Sequence, residues 1–329
     1  METILYPFKF TPIYKDKIWG GNKIKSILHQ DYGDLPNCGE AWLISGVDGE
    51  PSVVCNGELA GNELNELVEV FMGDLVGENV FDKYGEQFPL LIKVLDSNDW
   101  LSVQVHPNDE LAEKMDIGSG KTEMWYVMQA DNDAELVAGF RQETTEHTFR
   151  QSLKNGNLVN ELQRTNVKAG DTFFIPAGRI HALGPGCLVA EIQQTSDNTF
   201  RVYDWERIDQ YGMMRELHTE QALQALDYES LPDYRQRYNN IENKTVELVD
   251  CPYFTTNIIN LDAELKKDYS ELDSFVILFC VEGSFSLSWE KGTEFATSGQ
   301  CLLVPNIIKK VNIKANGHCK ILETYIIAQ

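Results

Sequence analysis

The chain of 329 residues is poor in basic residues, and its few cysteines do not form pairs along the sequence. It contains 28 Lys and Arg against 51 Asp and Glu, a net charge of −23. A surface this acidic repels nucleic acid and anionic membranes, so neither is an expected partner. No apolar run approaches the ~18 residues of a membrane-spanning helix. Seven scattered cysteines without a C-x-x-C pair favour reduced thiols over a disulfide framework or a cysteine zinc site.

The start of the chain also lacks the basic and apolar regions of a signal peptide, and with the reduced thiols this predicts a cytoplasmic protein. A hydrophobic content of 43% without a low-complexity tract is typical of a globular protein. The length allows one large core or two fused modules. Because so acidic a chain would repel a phosphorylated ligand, basic residues close to a site are informative here.

A turn motif between Gly170 and His181 is the most informative feature that the chain does contain. An apolar β-run ends in Pro176 and Gly178, which favour a tight turn, and the histidine follows the turn. In a small β-barrel, a histidine in this position can point into the interior and bind a metal. Upstream, the segment Gln104-Val105-His106 offers the partners that such a site requires.

The segment from Gly299 to Pro305 repeats the G-x₅-P spacing of the first turn. Five residues after Pro305 stands Lys310, whereas His181 stands five residues after Pro176. Short strand-like runs surround both turns, and segments with helical spacing (59–75, 143–165 and 216–227) interrupt the first set. The pattern predicts two related β-modules, of which the second has lost its metal-ligand position.

Strand alternation groups the candidate ligands. Gln104 and His106 share one face of their strand, although that face could simply meet water. Glu123 lies among large apolar residues, where a carboxylate requires a cation, and either Lys121 or Lys93 could serve instead of a metal. Together with His181 these residues form a nitrogen and oxygen ligand set, which suits Zn²⁺ but also Fe²⁺, Mn²⁺ or Co²⁺.

A second polar cluster follows His181. Glu191, Gln193 and Thr195 share one face of a strand, which is either an interior face or a solvent-facing edge. Arg201 lies between Phe200 and Val202, so its guanidinium is expected to hold an anion, for which Asp204 is the simplest candidate.

Four separated motifs give the chain a family resemblance. They are Gln104-x-His106-Pro107, the segment from Lys121 to Tyr126, the Gly170–His181 turn and the segment from Ser196 to Arg201. In this order they resemble type I mannose-6-phosphate isomerase, most closely its short bacterial form. The resemblance implies a mainly β fold of two cupin-like (jelly-roll) β-barrels with helical insertions. Residues 1–245 would form the catalytic cupin and residues 246–329 a degenerate cupin without a metal site.

The resemblance also carries functional residues onto this chain. By motif position, the family's ligands for one Zn²⁺ per chain fall on Gln104, His106, Glu123 and His181. The active-site arginine falls on Arg201, and the active-site lysines fall on Lys121 and Lys93. Gly120 departs from the pattern, because longer members carry a histidine immediately before this lysine. If that histidine assists ring opening, another group must serve here.

The resemblance thus implies an aldose–ketose isomerase that interconverts mannose 6-phosphate and fructose 6-phosphate through a cis-enediol(ate). Lys121 and Arg201 would hold the enediolate or the phosphate, and Glu191 or Asp197 would carry the proton. One alternative is another metal-dependent cupin enzyme, an oxygenase or a decarboxylase, although these usually carry a His-x-His pair. The other is a cupin that binds a sugar phosphate without turnover. The oligomeric state is left open.

Overall fold

The computed structural model describes residues 5–208 and 212–328, and within them the chain is mainly β, as predicted. The strands before residue 204 are β1 (Phe10–Thr11), β2 (Ile13–Gly21), β3 (Cys38–Ile44), β4 (Val53–Val54), β5 (Leu90–Ser97), β6 (Val103–Val105), β7 (Glu123–Ala130), β8 (Glu135–Phe140), β9 (Leu162–Asn166), β10 (Thr172–Ile175), β11 (His181–Leu183), β12 (Cys187–Gln194) and β13 (Phe200–Tyr203). The later strands are β14 (Thr245–Asp250), β15 (Thr255–Leu261), β16 (Glu264–Asp268), β17 (Val276–Glu282), β18 (Ser284–Trp289), β19 (Gly292–Thr297), β20 (Gln300–Val304), β21 (Lys310–Ala315) and β22 (Cys319–Tyr325). The helices are α1 (Lys23–Ser26), α2 (Leu64–Val76), α3 (Glu78–Tyr84), α4 (Asp109–Lys114), α5 (Glu146–Lys154), α6 (Leu158–Glu161) and α7 (Thr219–Ala225).

Two antiparallel sheets form the N-terminal half. One has the strand order β10-β7-β12-β5-β2-β3, the other has the order β13-β6-β11-β8-β9, and β1 pairs separately with β4. Side chains from both large sheets share one apolar core, which contains Trp125 and Val189 from the first sheet and Leu136 and Leu183 from the second. The half is therefore a sandwich of two open sheets, as in a jelly roll.

The strands β5 and β12 lie side by side in the six-stranded sheet, and every residue in them is buried. Because both faces of these strands are covered, β5 shows a nearly continuous apolar run instead of alternation. In β12 the buried residues include the polar Glu191 and Gln193. The neighbours of β12 are β5 and β7. The alternative of a solvent-facing edge strand for Glu191, Gln193 and Thr195 is therefore wrong.

The C-terminal half repeats the sandwich on a smaller scale. Its sheets have the orders β14-β15-β22-β17-β20 and β16-β21-β18-β19, and they share a second apolar core. This half packs directly on the first, because the rings of Phe88 and Phe275 lie 4.6 Å apart between centroids. Asp273 also accepts hydrogen bonds from the backbone N–H groups of Glu78 and Asn79 at the start of α3.

The predicted helical segments are only partly helical. Residues 59–75 contribute most of α2, and residues 216–227 contain α7. The segment 143–165 holds α5 and α6 but ends in the strand β9, which pairs with β8 at the sheet edge. Its alternating half-buried and exposed residues are polar, so the apolar pattern gave no strand signal there.

Candidate metal centre

Three strands from two sheets bring the predicted ligands together. His181 is the first residue of β11, and its backbone lies opposite Gln104 of β6 in the five-stranded sheet. His106 follows β6 directly, and Glu123 begins β7 in the six-stranded sheet. The ligand atoms of His106, Glu123 and His181 all lie within 4.8 Å of one another. The cluster therefore bridges the two sheets in the interior of the N-terminal half.

The two imidazoles are on either side of one carboxylate. His106 Nε2 lies 3.4 Å from Glu123 Oε2, and His181 Nε2 lies 3.4 Å from Glu123 Oε1. The Gln104 side-chain amide completes the group, 3.2 Å from His181 Nε2. The three ionisable side chains are at most 1% exposed, whereas Gln104 is half-buried. The four residues predicted as ligands thus meet at one point, and the water-facing alternative for His106 is wrong.

Backbone carbonyls fix the orientation of both imidazoles. His106 Nδ1 donates to the Asn198 carbonyl at 2.8 Å, and His181 Nδ1 donates to the Arg179 carbonyl at 2.9 Å. Since a carbonyl oxygen can only accept, each Nδ1 must carry the proton and each Nε2 must present a lone pair. A hydrogen bond from the distal ring nitrogen is the usual support of a metal-binding histidine.

The same atoms are left without hydrogen-bond donors. His106 Nε2 and both carboxylate oxygens of Glu123 are buried, and no hydrogen-bond partner for them exists among residues 5–208 and 212–328. Burial of such acceptors without a hydrogen-bond donor is expensive, although Lys121, a partner that the sequence allowed, lies 3.5 Å from Glu123 Oε2 and balances its charge. A cation between the lone pairs would satisfy them, so the donor set fits a bound metal.

Electrostatics keeps these groups in the protonation states that a metal requires. Burial and then the nearby Lys121 lower the pKa of His106 to about 3, and burial also lowers the pKa of His181. Both imidazoles are therefore neutral. Burial alone would raise the pKa of Glu123, but the positive charge of Lys121 acts in the opposite direction and this pKa is lowered. Glu123 is therefore an anion, with Lys121 Nζ 3.5 Å from its Oε2.

A cavity of about 250 Å³ opens beside the ligands. Its lining includes the remaining predicted site residues, namely Lys93, Lys121, Glu191, Asp197 and Arg201. A wider groove of about 840 Å³ runs past Tyr126 and Arg235 and has no lining residue in common with this cavity. Size alone would thus point to the wrong part of the surface.

A buried chain of alternating charges forms one wall of the cavity. Lys93 Nζ lies 3.5 Å from Glu191 Oε1 and 4.0 Å from Glu40 Oε2, and Lys17 Nζ lies 3.0 Å from Glu40 Oε1. The sequence allowed Lys93 as a partner of Glu123, but Lys93 pairs with Glu191 and Glu40 instead. Burial would lower the pKa of Lys93, but Glu191 and Glu40 outweigh it and raise this pKa.

The two carboxylates beside Lys93 differ in their acidity. Burial by itself would raise the pKa of Glu40, but Lys93 and Lys17 outweigh it and lower this pKa to about 2. Burial and then the negative charge of Glu123 raise the pKa of Glu191. The Trp125 indole N–H donates to Glu191 Oε2 at 2.8 Å and holds the carboxylate in place. Glu191 can therefore take up a proton more readily than an ordinary carboxylate.

Asp204, the expected partner of Arg201, is bound by other arginines. Asp204 is bound in a bidentate manner by Arg215, at 2.7 and 2.5 Å, and Arg207 lies 3.3 Å away. Arg201 Nη1 donates instead to the carbonyl of Glu216 at 2.9 Å. The prediction that Arg201 holds Asp204 is wrong. The residues after β13 return to the end of this strand, and Arg215 binds the Asp204 carboxylate in place of Arg201.

Sequence reasoning missed three charged residues of the cavity wall, Lys17, Glu40 and Arg215. Glu40 gave the same signal as Glu123, since it lies in an apolar strand and shares a face with Trp42. Its carboxylate accepts a hydrogen bond from the Trp42 indole at 2.7 Å. Arg215 lies in a polar segment outside any strand, and no local pattern separates it from a surface arginine.

Gly120, the position that departs from the longer family members, is closed to side chains. A Cβ atom there would lie 2.5 Å from the backbone nitrogen of Asp109 and 2.6 Å from the carbonyl carbon of Asn108. The Gly120 N–H also donates to the Asp109 carboxylate at 2.9 Å. Close packing against α4 thus explains why this chain has glycine where a histidine would otherwise stand.

Lys310, which follows the repeated turn in the C-terminal half, lies on a solvent-facing side of β21. Its side chain is 76% exposed and lies 3.5 Å from Asp268. In the first half the corresponding histidine is buried between two sheets.

None of the helices within the described ranges combines the length and apolar character needed to cross a membrane.

Two family models match the chain. "Phosphomannose isomerase type I, catalytic domain" matches residues 7–152, and "Mannose-6-phosphate isomerase, cupin domain" matches residues 244–326. The predicted cupin fold class is confirmed by the second model, together with the sheet arrangement.

Known proteins resemble the chain over nearly its whole length. Mannose-6-phosphate isomerase ManA of Bacillus subtilis is 34% identical over 322 residues, which cover 95% of this chain and 97% of that protein. Mannose-6-phosphate isomerase of Streptococcus mutans is 36% identical over 297 residues, 89% of this chain and 90% of that protein. A crystal structure of the mannose 6-phosphate isomerase from Bacillus subtilis superposes with a TM-score of 0.86 at 32% identity and covers 97% of this chain and 99% of that one. Because sequence, fold and buried ligand cluster all agree, the chain belongs to the type I phosphomannose isomerase family.

Proposed function

We propose that the chain is a zinc-dependent isomerase that interconverts mannose 6-phosphate and fructose 6-phosphate through a cis-enediolate. The observation that carries the proposal is the buried His106–Glu123–His181 cluster with its unpartnered acceptor atoms. Their neighbours Gln104 and Lys121 line a cavity that is rich in cations. The choice of mannose 6-phosphate as the substrate is supported by the relatives, which are named mannose-6-phosphate isomerases.

The four residues that would hold the ion are Gln104, His106, Glu123 and His181. Two neutral imidazoles, one carboxylate and one amide oxygen are ligands that Zn²⁺ accepts, and one ion per chain satisfies the cluster. When bound, Zn²⁺ would supply Lewis acidity to the sugar oxygens on which negative charge develops. No electron transfer takes place in an aldose–ketose isomerisation, so an ion without redox chemistry suffices.

Isomerisation requires a group that carries one proton between neighbouring carbons. In the aldose-to-ketose direction the C2 proton leaves to a carboxylate and returns to C1, while a hydroxyl proton passes from O2 to O1. Glu191 and Asp197 both line the cavity. We favour Glu191, because burial and Glu123 raise its pKa and Trp125 fixes its position. Asp197 is exposed to solvent, whereas Glu191 is buried.

Cations in the cavity would stabilise the anionic intermediate. Lys121 lies beside Glu123, and the backbone of Arg201 pairs with that of Gln104, so both are adjacent to metal ligands. Lys93 lies against Glu191 and keeps a positive charge next to the proton-carrying group. Charges that are fixed before the reaction stabilise the enediolate without reorganisation of solvent. They also offset the repulsion between a protein of net charge −23 and a sugar phosphate.

We also propose that the two halves of the chain differ in function, as the sequence indicated. Residues 1–245 would form the catalytic cupin, and residues 246–329 a degenerate cupin without a metal. The exposed position of Lys310 supports this division, because a side chain that faces solvent cannot take the place of the buried His181.

A coupled assay tests the function. The purified protein is incubated with mannose 6-phosphate, and fructose 6-phosphate is measured before chelation, after chelation and after zinc is restored. We expect activity that the chelator removes and zinc returns. Measurement of oxygen uptake serves as the control for an oxygenase, and none is expected. Activity that is insensitive to the chelator would refute the metal-dependent mechanism, and binding without turnover would support a sugar-phosphate-binding cupin instead.

A further inference from the structure

Two arginines converge on one buried carboxylate beside the cavity, and a third arginine lies next to them. Asp204, which is only 6% exposed, lies within 3.3 Å of both Arg207 and Arg215. The pKa of Arg201 is lowered, first by burial and then by the positive charge of the nearby Arg215. Arg207 also lies 3.8 Å from Asp99. The arginines therefore bring fixed positive charges to this end of a protein that is strongly acidic overall.

The orientation of Arg215 is fixed before any ligand arrives. Its Nε and Nη2 bind the two oxygens of Asp204, which leaves the Nη1 edge of the guanidinium for another partner. The segment that carries it is tied to β13, because Arg201 N–H donates to His218 Nδ1 at 3.1 Å and the His218 N–H donates to the Arg201 carbonyl at 2.7 Å. A guanidinium held in this way loses little entropy when it binds an anion.

Donor groups in the cluster remain unused. Arg201 Nε is buried, and within the described part of the chain it has no hydrogen-bond partner. Both Arg201 and Arg215 line the cavity that also contains Gln104 and Lys121. Over the whole cavity, five cationic side chains face three carboxylates. Its wall is therefore positively charged, and it offers planar N–H groups that suit a phosphate.

The register between β13 and β6 sets the order of these residues along the cavity. Arg201 pairs through its backbone with the metal ligand Gln104, so it lies at the reacting end. Asp204, which binds Arg215, follows the end of β13, in the direction in which this strand runs past Val103 and away from His106. In an open-chain hexose 6-phosphate, the reacting carbons C1 and C2 and the phosphate on C6 are at opposite ends. A sugar with C1 and C2 near the metal ligands thus directs its phosphate towards Arg215.

We propose that Arg215, anchored by Asp204, binds the phosphate of the substrate and makes the cavity specific for a phosphorylated sugar. This inference rests on the function proposed above. Arg215 is a substrate-binding residue remote from the reacting carbons, and Asp204 with Arg207 positions it. Its contribution therefore belongs mainly to binding, and its loss should raise KM more than it lowers kcat.

The test compares Arg215→Gln with the wild type. A hydrogen-bonded charge is worth about 1.5–3 kcal/mol, or about 10- to 150-fold in affinity. We expect KM for mannose 6-phosphate to rise by this factor, and the inhibition constant of inorganic phosphate to rise with it. The metal content per chain should stay unchanged. Calorimetric titration with inorganic phosphate gives a second measure of affinity that does not depend on turnover.

Arg150→Gln is the matched control, because Arg150 has the same side chain and forms its ion pairs with Glu146 and Glu220 on the exposed side of α5. It should leave KM and phosphate binding unchanged. Unaltered KM and phosphate affinity in the Arg215→Gln protein would overturn the proposal, as would an equal loss in the control.

A folding check keeps the test decisive. Since Asp204 retains Arg207, Arg215→Gln should fold, as thermal unfolding will show. If the Arg215→Gln protein does not fold, Arg215→Lys is tested instead, because this variant keeps the charge and loses the planar guanidinium. Unchanged phosphate affinity in the Arg215→Lys protein would contradict the proposal. Absence of isomerase activity in the wild type would refute the proposed function instead, while the calorimetric comparison would still report on Arg215.

Discussion

Glu40 allows a quantitative test of the charged wall behind the cavity. Its carboxylate is buried, accepts a hydrogen bond from Trp42 and lies between Lys17 and Lys93. The substitution Glu40→Gln removes the charge and keeps the shape of the side chain. Lys93 would still pair with Glu191, so the variant does not strand a buried cation. The change in stability therefore reports on Glu40 itself.

The magnitude follows from the two pKa values. Lys93 and Lys17 overcome the effect of burial and lower the pKa of Glu40 from 4.5 to about 2 in the folded chain. A folded pKa below the unfolded one stabilises the protein above pH 4.5, and this stability is lost as the pH falls towards 2. The difference corresponds to about 3 kcal/mol. Glutamine resembles the protonated acid, so the variant should be about 3 kcal/mol less stable than wild type at pH 7 and equally stable near pH 2.

Urea denaturation of both proteins at several pH values between 2 and 7 measures this difference. Glu143→Gln serves as the control, since Glu143 is exposed and its substitution should change the free energy of unfolding very little. A difference between Glu40→Gln and wild type that stays constant over the whole range would refute the argument. It would mean that the loss came from packing and not from the charge.

Three further predictions concern the site. His181→Ala should lose both bound metal and activity, whereas Lys310→Ala should keep both, as metal content and isomerase assays will show. Glu191→Gln should lower kcat by about 10²- to 10⁴-fold at unchanged metal content, and Asp197→Asn should lower it less. Gly120→Ala should destabilise the protein by about 1–3 kcal/mol in denaturation experiments, because the added Cβ meets the backbone of α4.

Each of these predictions has a result that would contradict it. Metal loss in Lys310→Ala would assign a ligand to the C-terminal half. A greater loss of kcat in Asp197→Asn than in Glu191→Gln would make Asp197 the proton carrier. Unchanged stability in Gly120→Ala would mean that α4 moves aside at little cost, and that the steric account of Gly120 is wrong.

The cluster of candidate ligands could be predicted because each of its residues gives a local signal. Strand alternation places Gln104 and His106 on one face, and the Pro–Gly turn exposes His181 after a strand. Glu123 is conspicuous as a carboxylate among large apolar residues. The exposed strand β16 escaped prediction because its residues are polar apart from Leu265, and its conformation is determined by pairing with β21. In β21, Val311, Ile313 and Ala315 alternate with polar residues, so this strand could have been predicted from the sequence.

By itself the sequence determined the mainly β character, the two related modules and the identity of the residues that could bind a metal, because these depend on local periodicity and residue chemistry. Only the tertiary structure decided which charges meet. The ionic pairs of Lys93 with Glu40 and of Arg215 with Asp204 join segments that the sequence separates. The first depends on the pairing of β3 with β5, and the second depends on the return of the Arg215 segment to the end of β13. Coulomb interactions depend on distance and burial, and neither can be read from the order of residues along the chain.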